Sequence, residues 1–534
     1  MILRVDAQWK TRRQEEEETR IQEVIEVKEV IEVNDINLYE NMNCELIPKL
    51  VFDYFAQINA VPRPSKREEK MIEFLKQFAQ QNGLPCKVDD AGNVLISKPA
   101  TKGRENHPCV VLQGHMDMVC EKISTLDFDF DTQAIQTYVD GEWMRAKGTT
   151  LGADCGIGVA MAMAVLTNDM LEHGPIECLF TRDEETGLTG AFEIQPGFMS
   201  GKYLINLDSE DEGEIFVGCA GGVNTTISFP FQREPLASDS VLLRVSVDKL
   251  TGGHSGDDIN KRRANANKLL ARYLYNIWEK YDVDLVEING GNLHNAIPRD
   301  ASAIIAVPAA DKESVRVDLN VFAADVEKEF HAEEPSMEWR MESVQPADGQ
   351  LPEAIDEDVA TRLVYALQAV HNGVLEMNQD IHELVETSSN LASIRTRLLE
   401  QSGKDMKEEV YIVTSQRSSA LSSRDWMSNT IAATFLLAGA DVETGDGYPG
   451  WAPNPNSELL KITIDAYKDL FGKEPKVRAI HAGLECGLFS EKYPGLDMVS
   501  FGPTLRGVHS PDERLLIPTV QMVWNRLVEI LKRI

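Results

Sequence analysis

The chain has 534 residues, enough for two or more domains and a substantial core. It is 43% hydrophobic and 26% charged, ordinary for a soluble protein, and holds no apolar run long enough to span a bilayer. The formal charge of −33, from 53 Lys and Arg against 86 Asp and Glu, argues against nucleic-acid binding, which requires a basic face.

Residues 1–43 stand apart, with Glu15-Glu-Glu-Glu18 and the twice-written Val-Ile-Glu-Val of residues 24–33. They read as a disordered or dispensable leader without the apolar core of a signal peptide, and Met42 is the better start. Globular patterning begins near Leu46, with Leu50, Val51, Phe55 and Ile58 at helical spacing. A helix over Lys70–Gln81, a strand over Val110–Gln113, a small-residue helix over Gly156–Met170 and strands over Ile176–Thr181 and Tyr203–Leu207 follow. The glycines of Gly218-Cys-Ala-Gly-Gly222 suggest a hinge. Beyond it the rhythm changes: strand Val241–Val247, helix Ala264–Tyr281, strand Ser302–Val307 and helix Ser314–Phe330, with Met337–Val344 closing the unit. A second series of similar order follows: helix Asp356–His371, strands Ser389–Thr396 and Glu409–Ser415, helix Arg424–Ala438. Helix Asn456–Phe471, strand Val477–Ile480, strand Met498–Phe501 and a helix from Thr519 restore the first rhythm. The expected architecture is α/β, with a mixed, mostly parallel sheet flanked by helices. Residues 44–221 and 451–534 form that catalytic domain, and residues 222–450 are an inserted α/β domain.

Three apolar strands each deliver a ligand-type side chain at the carboxyl end, where open α/β sheets place their sites. Val110–Gln113 runs into His115, with Asp117 two residues on to orient the imidazole. Ile176–Thr181 leads to Asp183-Glu184-Glu185, and Tyr203–Leu207 ends in Asp208. Between the first two lies Gly148-Thr-Thr-Leu-Gly-Ala-Asp-Cys-Gly-Ile-Gly158, whose glycines bring Asp154 toward the site. That loop lacks the preceding strand and closing acidic residue of a dinucleotide fingerprint. Each group also has a plain structural alternative: Asp154 and Asp208 as caps or turns, Glu184 and Glu185 as a solvated pair, His115 as a core histidine. Together they make a mixed N/O set suited to two zinc ions sharing a carboxylate. Of the adjacent glutamates, one can bind metal while the other serves as general base. The eight cysteines include no Cys-x-x-Cys, which fits reduced thiols in a cytoplasmic protein.

Gly114-His-Met-Asp-Met-Val119, Gly152-Ala-Asp154, Thr181-Arg-Asp-Glu-Glu-Thr-Gly187 and Gly507-Val-His-Ser-Pro-Asp-Glu513 resemble the co-catalytic zinc aminopeptidase/carboxypeptidase family. Leu207-Asp-Ser-Glu-Asp211, Thr251-Gly-Gly-His-Ser-Gly256, His294-Asn-Ala-Ile-Pro-Arg299 and His481-Ala-Gly-Leu-Glu-Cys-Gly487 narrow the resemblance to its bacterial aminoacyl-histidine dipeptidase branch. The resemblance covers Cys44 to Ile534. It implies that His115 and Asp208 bind one zinc, Glu185 and His509 the other, and Asp154 both, with cobalt or manganese as alternatives. Glu184 would be the general base and Asp117 the orienting group. In the inserted domain, acting as a lid, His254 would polarise the scissile carbonyl while Asn295 and Arg417 hold the substrate's carboxylate. Arg424 and Arg299 are rival candidates for that last task, and His481 and Glu485 are left outside the ligand set. Cys155 occupies a position where many relatives carry Asp or Asn, often after a cis peptide. The resemblance further implies hydrolysis of unblocked dipeptides, Xaa-His included, with no membrane or nucleic-acid partner. A homodimer through the lid would let His254 serve the neighbouring subunit. A tripeptidase, N-acyl amino acid deacylase or carboxypeptidase stays open within the same chemistry, and a non-catalytic metal-binding scaffold outside it.

Overall fold

The computed structural model describes residues 46–534 apart from 347–349, 380, 382–383, 399–407 and 455; the 1–43 leader lies outside the described residues. The chain divides into two compact units. The first contains residues 46–217, 454–478 and 488–534, and the second residues 218–453 and 479–487.

An eight-stranded sheet runs in the order Cys86–Val88, Val94–Lys98, Ile176–Thr181, Val110–His115, Tyr203–Asn206, Asp497–Ser500, Glu214–Cys219, Lys476–Ile480. Its central four strands, Ile176–Thr181 to Asp497–Ser500, are mutually parallel, while the Cys86 edge is antiparallel. Val110–His115, Ile176–Thr181 and Tyr203–Asn206 are buried along their whole length. Burial on both faces is why they read as unbroken apolar runs rather than alternating ones. Helix Ala153–Thr167 packs on strand Val110–His115 and on helix Lys49–Asn59. Removing one side chain from this core, as in Leu112→Ala, costs about 2–5 kcal/mol because the cavity closes only partly. Parallel pairing aligns His115 with Thr181 and Gln113 with Asn206, so three strands release the chain at one end of the sheet. A separate antiparallel sheet, Leu505–Arg506, Arg514–Leu516, Trp143–Ala146, Thr137–Asp140, ties the 507–513 loop to the segment leading into the glycine loop.

In the second unit both predicted series join one antiparallel sheet. Its order is Glu338–Val344, Ser240–Asp248, Ala301–Pro308, Asp284–Gly290, Val385–Leu398, Glu408–Ser418, Gly221–Phe231, Asp441–Thr444. Helices Ala266–Trp278, Lys312–Glu329, Glu357–Ala369 and Leu421–Leu437 belong to the same unit. Asn265 and Asp356 cap two of them by accepting the N–H of Lys268 and Val359. The glycine stretch falls where the two units divide and is itself strand: Glu214–Cys219 and Gly221–Phe231 are separated by Ala220 alone. The glycines serve close packing, since a Cβ on Gly221 would meet the Tyr448 carbonyl at 2.5 Å. The fold is mixed α/β throughout. Among the described residues, no helix is long and apolar enough to cross a membrane.

Candidate metal centre

All the predicted ligands of the first unit converge. His115 is buried at its strand end, with Nε2 3.2 Å from Asp154 Oδ1 and 3.3 Å from Asp208 Oδ1. His509 Nε2 lies 3.3 Å from the other oxygen of Asp154, Oδ2, and 3.0 Å from Glu185 Oε2. Asp154 therefore addresses two histidines, one with each carboxylate oxygen. It does so because it is not part of a regular helix: Asp154 (ψ 114°) and Cys155 (ψ 23°) break the first turn, and the regular helix follows them. The Asp154–Cys155 peptide is cis.

The glutamate pair sits on a single helical turn, Glu184–Gly187, rather than on the strand end itself. Asp183, in the left-handed region at φ 51°, makes the turn that starts it. Its carboxylate is occupied by the Thr186 and Thr189 hydroxyls at 2.6 and 2.5 Å. Asp117 is the hub beneath. It lies 3.4 Å from His115 Nδ1 and accepts the backbone N–H of Glu184 (3.1 Å) and Glu185 (3.3 Å), and the Ser65 hydroxyl (2.8 Å). One buried carboxylate thus lies beside the imidazole and fixes the backbone of both glutamates. An oxygen of Glu184 shares a 4.8 Å cluster with ligand atoms of His115 and Glu185.

The donor set fits two divalent cations. A tetrahedral shell of radius about 2.0–2.1 Å spaces its ligand atoms about 3.3 Å apart, which the N–O separations of 3.0–3.3 Å match. Among the described residues, Glu185 Oε1 and Asp208 Oδ1 are buried without a well-aligned hydrogen-bond donor, a costly state that a cation relieves. Burial lowers the His115 pKa, but Asp208, Asp117 and Asp154 outweigh it and hold the ring well above its usual range. Hydrogen bonds to Asp154 and Glu185 push His509 up to about 11. Burial pushes Asp208 up to about 6, opposed by His115 and helped by Asp154.

Sequence reasoning overlooks Glu210, which burial and the neighbouring Asp154 and Asp208 push up to about 8. It lies within the quoted 207–211 motif, so the signal was present without a role. Arg63 is missed outright. Its buried guanidinium donates to the carbonyls of Met116, Asp117 and Gly152, contacts that no local pattern announces.

The remaining predicted residues belong to the second unit and gather there. His254, in the short strand Gly253–His254, pairs with Ala296, and Ser255 N–H bonds the Asn295 carbonyl at 2.8 Å. His254 Nδ1 accepts the N–H of Gly256 (3.3 Å) and Asp257 (3.2 Å), which leaves the ring proton on Nε2 as a free donor. Burial, then Arg417, lowers its pKa and keeps it neutral. Arg417, 6% exposed, meets the Tyr448 hydroxyl at 3.0 Å, and its Nε has no acceptor among the described residues. The rival arginines are committed elsewhere: Arg424 to the Tyr448 carbonyl and Asp425, Arg299 to the Leu250 carbonyl. His481 is buried against the Ser388 hydroxyl at 2.8 Å, and burial followed by Arg417 and His254 pushes it down to about 3.

The chain matches the model of peptidase family M20/M25/M40 over residues 111–533. It is similar to the cytosol non-specific dipeptidase of Escherichia coli (strain K12), 42% identical over 491 residues, 92% of this chain and 98% of that protein. Among solved structures it is similar to the aminoacylhistidine dipeptidase from Vibrio alginolyticus, at 40% identity and a TM-score of 0.82 over 92% of this chain and 98% of that one. The aminopeptidase PepT from Bacillus cereus shares the fold, with a TM-score of 0.53 at 16% identity over 90% of this chain and 97% of that one.

Proposed function

The chain belongs to peptidase family M20/M25/M40, and on that premise we propose that it is a cytoplasmic, zinc-dependent dipeptidase acting on small unblocked dipeptides, Xaa-His included. The observation that carries the metal reading is Asp154, with one oxygen toward His115 and the other toward His509. His115, Asp154 and Asp208 would hold one zinc, and Asp154, Glu185 and His509 the other. The ions would supply a water acidic enough to ionise near neutral pH and a Lewis acid for the scissile carbonyl.

The side chains do the rest. Asp117 keeps the His115 proton on Nδ1, leaving the Nε2 lone pair for the ion. Glu184 takes the proton of the attacking water and delivers it to the leaving amine. His254 donates its Nε2–H to the carbonyl oxygen as charge develops there. Arg417 and Asn295 receive the C-terminal carboxylate, a task suited to Arg417 because its planar fork is not already held by an acid among the described residues. The similar dipeptidases from Escherichia coli and Vibrio alginolyticus support the substrate class.

The test is a turnover screen of zinc-loaded protein on unblocked dipeptides, tripeptides and N-acetyl amino acids. Dipeptides should be hydrolysed fastest; preference for either other class would reassign the substrate. Glu184→Gln should keep both zinc ions and lose hydrolysis, and unchanged turnover would sink the mechanism.

A further inference from the structure

The loop that presents Asp154 is held by a side chain about 360 residues further along the chain. Glu513 is 2% exposed. Its Oε2 accepts the N–H of Leu151 (2.7 Å) and Gly152 (3.0 Å), and its Oε1 those of Ala153 (2.8 Å) and Asp154 (3.4 Å). Four successive backbone donors thus close on one carboxylate. Glu513 also belongs to the turn that carries His509, since its own N–H bonds the Ser510 carbonyl at 3.0 Å. From the other side Arg63 donates to the Gly152 carbonyl at 2.5 Å and to the Asp117 carbonyl at 2.7 Å. The Gly152 residue is therefore gripped at both its N–H and its C=O. Gly152 has φ 66°, and a Cβ there would stand 2.5 Å from Arg63 Nη2, so glycine is required.

A buried carboxylate beside an already acidic site is a poor choice for a loop staple that serves the fold alone, because burying like charges is costly. A neutral side chain or water would satisfy the same N–H groups. What a carboxylate adds is two oxygens that take two donors each, fixing the loop's direction at Asp154. Resting on the two-zinc reading above, we propose that Glu513 is a positioning residue for the metal centre. By joining the 151–154 backbone to the His509 turn, it sets the spacing between Asp154 and His509 across which the second ion is shared. Arg63 closes the same clamp from the His115–Asp117 side.

Glu513→Gln keeps size and reach, but its amide NH2 opposes either the Leu151/Gly152 or the Ala153/Asp154 donors. Zinc binding, measured by competition with a chromophoric chelator, should weaken by about 10–100-fold for the weaker of the two ions, the range for losing a partner that orients a ligand. At zinc concentrations that saturate the wild type, the variant should hold about one ion, and kcat should fall more than KM changes. Glu513→Asp, charged but one methylene shorter, should fall between. The zinc-free Glu513→Gln variant should lose some stability, because two buried N–H groups face its amide, yet remain folded at the temperature of the zinc titration. Wild-type zinc affinity in both variants would overturn the proposal, as would a loss of zinc-free stability with affinity retained. A wild type that binds fewer than two zinc ions would instead overturn the two-zinc reading on which it stands.

Discussion

The two polar clusters of this molecule are built from opposite materials. In the first unit, Asp117, Asp154, Glu185 and Asp208 crowd around two imidazoles, and acceptor oxygens are left over. In the second, His254 offers Nε2–H and Arg417 offers Nε, so donors are left over. A surplus of buried acceptors is completed by cations, and a surplus of donors by an acceptor-rich ligand such as a peptide carboxylate. The first cluster is stapled by long-range bonds from Asp117, Arg63 and Glu513, as a resident ion requires. The second keeps donors uncommitted, as a substrate that must leave requires.

That contrast can be broken at several points. The largest effect is expected from Asp154→Ala, which removes the shared carboxylate. Both zinc ions should be lost by elemental analysis, and kcat should fall at least ~10³-fold, the several kcal/mol that metal charge stabilisation supplies. A variant that still held two ions would refute the sharing. His254→Ala should lower kcat by about 10²–10³-fold with zinc content unchanged, because it deletes one donor to the developing charge. Loss of zinc in that variant would blur the division between clusters. Arg417→Ala should reduce kcat/KM for unblocked dipeptides by about 10–100-fold, since hydrogen bonds to charged groups contribute about 1.5–3 kcal/mol. Dipeptides amidated at the C-terminus should respond far less, and an equal loss for both would remove Arg417 from carboxylate binding.

The smallest effect is the pH dependence of zinc uptake. His509, up to about 11, and Glu210, up to about 8, carry protons at neutral pH in the metal-free protein. The metal-free state then binds more protons than the loaded one, so apparent zinc affinity rises with pH, by up to about tenfold per unit for each proton displaced. Chelator-buffered titrations between pH 6 and 8 measure the slope; a flat line would mean the site is already deprotonated.

Much of the first cluster is legible in the sequence because its logic is local. Strands buried on both faces leave unbroken apolar runs, and the ligands stand at or just beyond their ends. The position of Asp154 is legible too, because the glycines around it mark a loop. Arg63 and Glu513 are not, since they act on backbone groups of residues far along the chain, whose identity leaves no pattern. Strand Gly221–Phe231 is hidden by its opening glycines and its Pro230, which locally signal a break. The partners that engage Arg424 and Arg299 likewise leave no trace in the sequence.

Strand Asp497–Ser500 pairs in parallel with Tyr203–Asn206, across about 290 residues of intervening chain. During synthesis at about 5–20 residues per second, the edge of Tyr203–Asn206 therefore waits roughly 15–60 s for its neighbour. Throughout that interval the nascent chain carries an apolar strand with one edge unpaired, an invitation to wrong pairing. The same delay withholds His509, which is made about 300 residues after Asp208. A peptidase assembled in this order brings His509 to Asp154 and Glu185 only after residues 218–453 have been made.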